Sequence, residues 1–137
     1  MNEKANLLNG AALAYIGDAV YEVFVRDHVI SQGETSPNKL HKAAVKYVEA
    51  KGQAEIMKHW LTDDDFLSEQ EITMYKRGRN NKANTKAKNA SIGDYRQATG
   101  FESLIGWLHM TRNEERLNEL LNAAIQYIDE RQGGLTL

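Results

Sequence analysis

The chain has 137 residues and a formal net charge of −2, so we expect one ordinary domain without a general excess of either charge. It contains no cysteine, which excludes disulfides and thiolate metal sites and fits a reducing cytoplasm. The start of the chain lacks the basic segment and the apolar run of a signal peptide. No apolar run approaches the roughly 20 residues that are needed to span a membrane. We therefore expect a cytoplasmic protein without a signal peptide or a membrane anchor.

The first periodic segment runs from Leu13 to about Ile30 and is predicted to be an amphipathic helix. Its predicted buried stripe consists of Leu13, Ile16, Val20, Val23 and Phe24. Asp18 lies off this stripe, and Gly17 before it costs roughly 1 kcal/mol in a helix interior relative to alanine. That cost is explained if another helix or a ligand approaches the backbone closely here. Asp18 is therefore a candidate site residue.

The later periodic segments also have helical spacing, so the predicted fold is all-α, and we expect residues 1–137 to form a single domain. The predicted helices run from Pro37 to Thr62, from Ser68 to about Arg77, from about Asp94, and from a cap at Asn113. Gly52 is expected to kink the first of these. Ser68 and Glu71 have the spacing of a capping box.

Residues 78–91 interrupt the helical pattern, because they are rich in Asn and Lys and have no hydrophobic period, and they are predicted to form a loop. Around this loop, residues 76–96 hold seven cations against one acid, a local charge of +6. We call residues 76–96 the basic segment. Its candidate nucleic-acid-binding residues are Lys76, Arg77, Arg79, Lys82, Lys86 and Lys88. Such segments attract phosphate backbones in a salt-dependent manner, although a solubilising loop is the alternative.

A second acid, Glu102, lies at the edge of the apolar stripe of the helix that begins near Asp94. Like Asp18, it has a glycine nearby, Gly106, about one turn along its helix. Two carboxylates from two packed helices can bind Mg²⁺, which takes one or two carboxylates and fills its other positions with water and phosphate oxygens. Each acid alone has a simpler explanation as a solvated or salt-bridged side chain. The four histidines show no spacing typical of a zinc or hydrolase site.

Both candidate acids lie in motifs that resemble those of the ribonuclease III family. Residues 15–20 read Tyr-Ile-Gly-Asp-Ala-Val, which resembles the family signature Phe-Leu-Gly-Asp-Ala-Val. Residues 101–106 read Phe-Glu-Ser-Leu-Ile-Gly, which resembles the second motif, Phe-Glu-Ala-Leu-Ile-Gly. Their order and separation fit, and the resemblance covers nearly the whole chain. We expect no double-stranded-RNA-binding domain, and this, together with the basic segment, resembles the Mini-ribonuclease III branch, known for trimming the precursor ends of large-subunit (23S) ribosomal RNA.

The resemblance implies an all-helical endonuclease domain, a helical bundle that forms a symmetric homodimer in which Tyr15 plugs into the partner subunit. It implies Mg²⁺-dependent cleavage of double-stranded RNA, with Mn²⁺ as a substitute. Asp18 and Glu102 are the implied catalytic and metal-binding residues. Precursor ribosomal RNA is the implied partner, with a ribosomal protein as a helper.

The chain departs from the full family pattern of four acids at the site. Ala14 and Thr99 occupy the other two positions, so only Asp18 and Glu102 carry over. We interpret this as a trait of the branch. The alternative is a non-catalytic RNA-binding module that retains the ribonuclease III fold.

Overall fold

The protein is described by a computed structural model that covers residues 2–81 and 91–135, with side chains for residues 4–81 and 91–131. Every regular element in these ranges is a helix, so the predicted all-α fold is confirmed. The helices are α1 (Asn2–Asn6), α2 (Gly10–Ser31), α3 (Pro37–Val48), α4 (Ala50–Leu61), α5 (Glu69–Arg79), α6 (Ile92–Met110) and α7 (Glu114–Leu135). Within the described ranges, none of them is long and apolar enough to cross a bilayer.

Helix α6 lies at the centre of the bundle and packs against α1, α2, α4, α5 and α7. It is apolar on nearly all sides, as is typical of a helix inside a core. Its completely buried side chains include Phe101, Leu104, Ile105 and Leu108. Because α2 and α4 both pack against α6, polar side chains of these three helices can meet where the helices touch.

The face that α2 buries differs from the predicted one. The buried positions follow a four-residue spacing through Leu13, Gly17, Tyr21 and Val25, whereas Val23 of the predicted stripe is 61% exposed. The predicted stripe omits Gly17 and Tyr21, because glycine and tyrosine are weak signals of a core position in a helical pattern. Gly17 is buried because α6 lies against it, and the Tyr21 hydroxyl is satisfied in the core by donating to the Tyr47 carbonyl oxygen at 3.0 Å.

The predicted kink at Gly52 was also wrong. The chain breaks at Glu49, which has an extended backbone (φ −64°, ψ 153°) between α3 and α4, and Gly52 lies inside α4. A Cβ atom at Gly52 would be 2.3 Å from the Lys46 carbonyl oxygen. Glycine therefore occurs here because the end of α3 presses against the start of α4.

Helix α5 begins as predicted, since the capping box of Ser68 and Glu71 is present. The buried Glu71 carboxylate also pairs with Arg116, whose Nε lies 2.8 Å from Glu71 Oε2. This pair ties the start of α5 to α7. The helix ends at Arg79, two residues beyond the predicted end, and the predicted loop lies mostly in residues 82–90, outside the described residues.

Candidate active site

The site is built where the backbones of α2 and α6 touch. A Cβ atom at Gly17 would be 1.8 Å from the Glu102 carbonyl oxygen, and one at Gly106 would be 1.9 Å from the Leu13 carbonyl oxygen. No side chain fits at either position without moving a backbone. The close helix approach that Gly17 predicted is therefore confirmed, and it brings Asp18, the next residue on α2, beside α6.

At this crossing, Asp18 lies beside Glu102, close enough for the charge of Asp18 to act on the Glu102 carboxyl. Asp18 is exposed, whereas Glu102 is partly buried. In the described part of the chain, no lysine, arginine or histidine forms an ion pair with either acid. Among the described residues, the two carboxyl groups therefore face each other without a protein cation to neutralise them.

The electrostatics of Glu102 reflect this arrangement. Burial raises the pKa of Glu102 to about 8, and the negative charge of Asp18 adds to the rise. A hydrogen bond from Gln53 acts in the opposite direction, because it favours the ionised carboxylate. Without a cation, the pair is therefore expected to hold a proton at neutral pH. A carboxylate pair with excess negative charge is the chemistry that a divalent cation neutralises.

The two other positions of the four-acid pattern, 14 and 99, carry no carboxylate. Ala14 is buried, and the Thr99 hydroxyl donates to the Tyr95 carbonyl oxygen at 3.0 Å. Among the described residues, no group of three or more His, Cys, Asp or Glu side chains is placed to hold a metal ion. The donor set therefore fits a cation that keeps several waters.

Sequence reasoning missed Gln53, a residue of α4 whose side chain is only 2% exposed. Its amide nitrogen donates to the Val48 carbonyl oxygen at 3.0 Å, and its side chain lies close enough to Glu102 to favour the ionised form of that carboxyl. A signal was present in the sequence, because Gln53 lies four and seven residues before Met57 and Trp60 and thus on the apolar face of α4. A polar residue on a core face is a candidate for a buried role.

The candidate nucleic-acid-binding cations differ in their surroundings. Lys76 is exposed, whereas Arg79 is partly buried and lies over the Tyr75 ring, 5.4 Å from its centroid. Arg77 Nη1 donates to the carbonyl oxygens of Asn6 and Leu8, at 2.6 and 2.9 Å. The guanidinium of Arg77 is thus engaged by the region around α1. Lys82, Lys86 and Lys88 lie outside the described residues.

Helix α2 carries a second apolar face, opposite the one that packs on α6. Tyr15 is 84% exposed and Val23 is 61% exposed, with the exposed Ala11 and Ala19 at the same four-residue spacing. We call these four residues the outer stripe of α2. Contiguous exposed apolar side chains of this kind are typical of an interaction surface.

Comparisons with known proteins agree with the motifs. The family model described as "Ribonuclease III domain" matches residues 11–113. A "Mini-ribonuclease 3" of Enterococcus faecalis is 54% identical over 123 residues, covering 90% of this chain and 92% of the relative. Another, of Streptococcus pneumoniae, is 52% identical over 124 residues, covering 90% of this chain and 96% of the relative. A crystal structure of a protein from Fusobacterium nucleatum matches with a TM-score of 0.76 and 29% identity, covering 87% of this chain and 93% of that one.

The raised pKa of Glu102 predicts how stability depends on pH. The folded-state pKa of about 8 lies above the ordinary value of 4.5, so the folded protein keeps this proton longer than the unfolded chain does. The stabilisation that results is complete below about pH 4.5 and is lost as the pH rises towards 8. The side chain of Glu102→Gln is neutral at every pH. The free energy of unfolding of this variant, relative to that of the wild type, should therefore increase as the pH rises across this range.

Urea unfolding in EDTA between pH 4.5 and 8.5 measures this difference. Glu115→Gln, an exposed acid at the start of α7, is the control and should run parallel to the wild type. A constant difference between Glu102→Gln and the wild type at every pH would contradict the raised pKa.

Proposed function

The chain belongs to the ribonuclease III family, in its Mini-ribonuclease 3 branch, and from this we propose that it is a divalent-cation-dependent endoribonuclease that cuts double-stranded RNA at Asp18 and Glu102. The observation that carries the proposal is the meeting of these two carboxylates at the α2–α6 crossing without a protein cation from the described residues. The substrate that we propose is the precursor of large-subunit (23S) ribosomal RNA.

Asp18 and Glu102 are the residues that would hold the cation, Mg²⁺ with Mn²⁺ as a substitute. When bound, such a cation lowers the pKa of a coordinated water and stabilises charge on phosphate oxygens. Because Ala14 and Thr99 offer no carboxylate, the other coordination positions are left to water and to the RNA. Asp18 is exposed and can reach a phosphate, whereas the partly buried Glu102 has a more restricted position.

The attacking group that we propose is water. Ser103 follows Glu102 in the chain, but its side chain is completely buried and its hydroxyl donates to the Met74 carbonyl oxygen at 3.0 Å. It is therefore not available as a nucleophile. Direct hydrolysis of the phosphodiester needs no covalent protein intermediate, which fits a site made of two acids.

We propose that RNA is recognised by its A-form shape, 2′-hydroxyls and phosphates, because the deep and narrow major groove of RNA does not admit side chains. The exposed Lys76 and the partly buried Arg79 are the described cations of the basic segment that we assign to phosphate contact. Lys82, Lys86 and Lys88 are proposed to add to them. Arg77 acts mainly within the protein, since its guanidinium bonds the carbonyl oxygens of Asn6 and Leu8.

We also propose a symmetric homodimer formed through the outer stripe of α2. The stripe presents Tyr15 and Val23 to solvent on the same helix as Asp18, and isologous pairing of one surface with its copy is the commonest oligomer symmetry. Two sites would then face one RNA duplex. Ribosomal RNA as the substrate implies a cytoplasmic location and makes a ribosomal protein a suitable helper.

The alternative is a non-catalytic RNA-binding module, which the alanine and threonine at positions 14 and 99 favour. It predicts duplex binding without cutting at any Mg²⁺ concentration. The presence of both Asp18 and Glu102 at the helix crossing favours the nuclease, since RNA binding alone does not need two facing carboxylates.

Asp18→Asn should reduce the rate of duplex RNA cleavage by at least about 100-fold, because loss of even an outer-shell partner of a metal site typically costs 10–100-fold. The rate is measured on a labelled duplex at saturating Mg²⁺. Asp27→Asn, an exposed acid on the same helix, is the control and should cut at the wild-type rate. Undiminished cleavage by Asp18→Asn would remove Asp18 from the mechanism, and a wild type that never cuts would favour the binding module.

Tyr15→Ala should weaken the homodimer, because a large exposed aromatic at the centre of an interface commonly contributes about 2 kcal/mol, or roughly a 30-fold change in Kd. Sedimentation equilibrium measures the Kd. Ile92→Ala, which truncates another exposed apolar side chain, should leave it unchanged. A monomeric wild type, or equal Kd values for all three proteins, would contradict the proposed interface.

Replacing Lys82, Lys86 and Lys88 with alanine should weaken duplex binding and reduce the slope of log K against log salt by up to about 3, one for each lost phosphate contact. Binding is measured in the Asp18→Asn background, in which we expect cleavage to be at least about 100-fold slower. The charge-matched control replaces Lys4, Lys39 and Lys42, three exposed cations outside the basic segment. Equal slopes for the two triple variants would show that the basic segment is not the contact.

A further inference from the structure

We propose that Gln53 is a positioning residue of this site, whose amide nitrogen fixes Glu102 and whose amide oxygen accepts a hydrogen bond from a water on the bound cation. The inference rests on the proposed function, because it requires a cation at Asp18 and Glu102. It deepens that function by giving α4, the third helix at the site, a defined role.

The position of Gln53 is firmly set. Its side chain is 2% exposed, and the residue before it, Gly52, is pressed against the end of α3, with room for no Cβ beside the Lys46 carbonyl oxygen. The start of α4 therefore has little freedom to shift. A buried side chain on such a segment is suited to hold another group in place.

The amide nitrogen of Gln53 has two protons, and one of them is used in a hydrogen bond to the backbone. Nε2 donates to the Val48 carbonyl oxygen at 3.0 Å, at the end of α3, where helix carbonyls lack partners within the helix. A carbonyl oxygen can only accept, so this bond fixes which end of the amide faces Val48. The Gln53 side chain also lies beside Glu102, so its second amide proton is available to that carboxyl group.

The amide oxygen is the informative atom. Gln53 Oε1 is buried and has no hydrogen-bond partner among the described residues. Buried acceptors without a partner are rare in native proteins, because the lost hydration is not replaced. A role limited to capping the Val48 carbonyl explains the hydrogen bond of the amide nitrogen, but it does not explain why the amide oxygen is buried without a partner. A donor that arrives with a ligand explains both.

A hydrated cation supplies such a donor. Mg²⁺ held by two carboxylates keeps several waters, and each of these has protons to donate. Outer-shell partners of this kind orient the ligands of a metal and change its affinity by roughly 10–100-fold. In a site where Ala14 and Thr99 replace two acids, an outer-shell amide gives an additional polar contact without adding charge.

The test is the affinity of the full-length protein for Mn²⁺, measured from free Mn²⁺ by electron paramagnetic resonance. Gln53→Leu removes both bonds at similar side-chain volume and should raise the Kd for Mn²⁺ about 10-fold or more. The Mg²⁺ concentration for half-maximal cleavage should rise in parallel, while kcat at saturating Mg²⁺ changes less. Gln97→Leu is the matched control, since Gln97 is an amide on α6 that accepts from the Tyr75 hydroxyl, and its Kd should be that of the wild type.

A folded Gln53→Leu protein whose Kd for Mn²⁺ lies within twofold of the wild type would overturn the inference. If Gln53→Leu does not fold, the same twofold limit on the Kd applies to Gln53→Asn. The side chain of this variant is one methylene shorter, so its amide lies farther from Glu102. A purely structural role predicts a lower melting temperature with an unchanged Kd, which would also overturn it. A wild type that binds no Mn²⁺ would instead overturn the proposed function.

Discussion

The contact between the backbones of α2 and α6 is the constraint on which the rest of the molecule depends. Gly17 and Gly106 allow each helix to touch a carbonyl oxygen of the other, and this contact brings Asp18 beside Glu102. The same contact determines which face of α2 is buried. It thereby leaves Tyr15 on the opposite side of the helix, exposed to solvent. The site and the proposed dimer surface are thus two consequences of one helix crossing.

This arrangement has an electrostatic cost in the metal-free protein. Two carboxyl groups in contact cannot both ionise freely, and the one that is partly buried keeps its proton to an unusually high pH. Groups with strongly shifted pKa values are concentrated at functional sites, where burial and neighbouring like charges are arranged to shift them. Gln53 opposes the shift in part, because its amide favours the ionised form of Glu102, but burial and the charge of Asp18 outweigh this effect.

The sequence predicted the all-α fold and the nearness of another helix to Gly17, because both follow from local patterns. It did not predict which apolar face of α2 is buried, because Val23 is as hydrophobic as a core residue. The buried face is determined by the packing of α6 against α2. Gly52 was taken as a helix breaker, although a tight contact gives glycine a place inside a helix. Gln53 escaped notice because its partner Glu102 is far away in the chain, and no local period links the two.

The glycines at the crossing also affect how these helices can evolve. Gly17 meets the carbonyl of Glu102 and Gly106 meets that of Leu13, so each faces main-chain atoms that every amino acid possesses. No exchange of side chains on the opposing helix can make room for a larger residue at either position. The two positions should therefore each be invariant without co-varying. Methods that infer contacts from correlated substitutions should therefore miss this contact between α2 and α6.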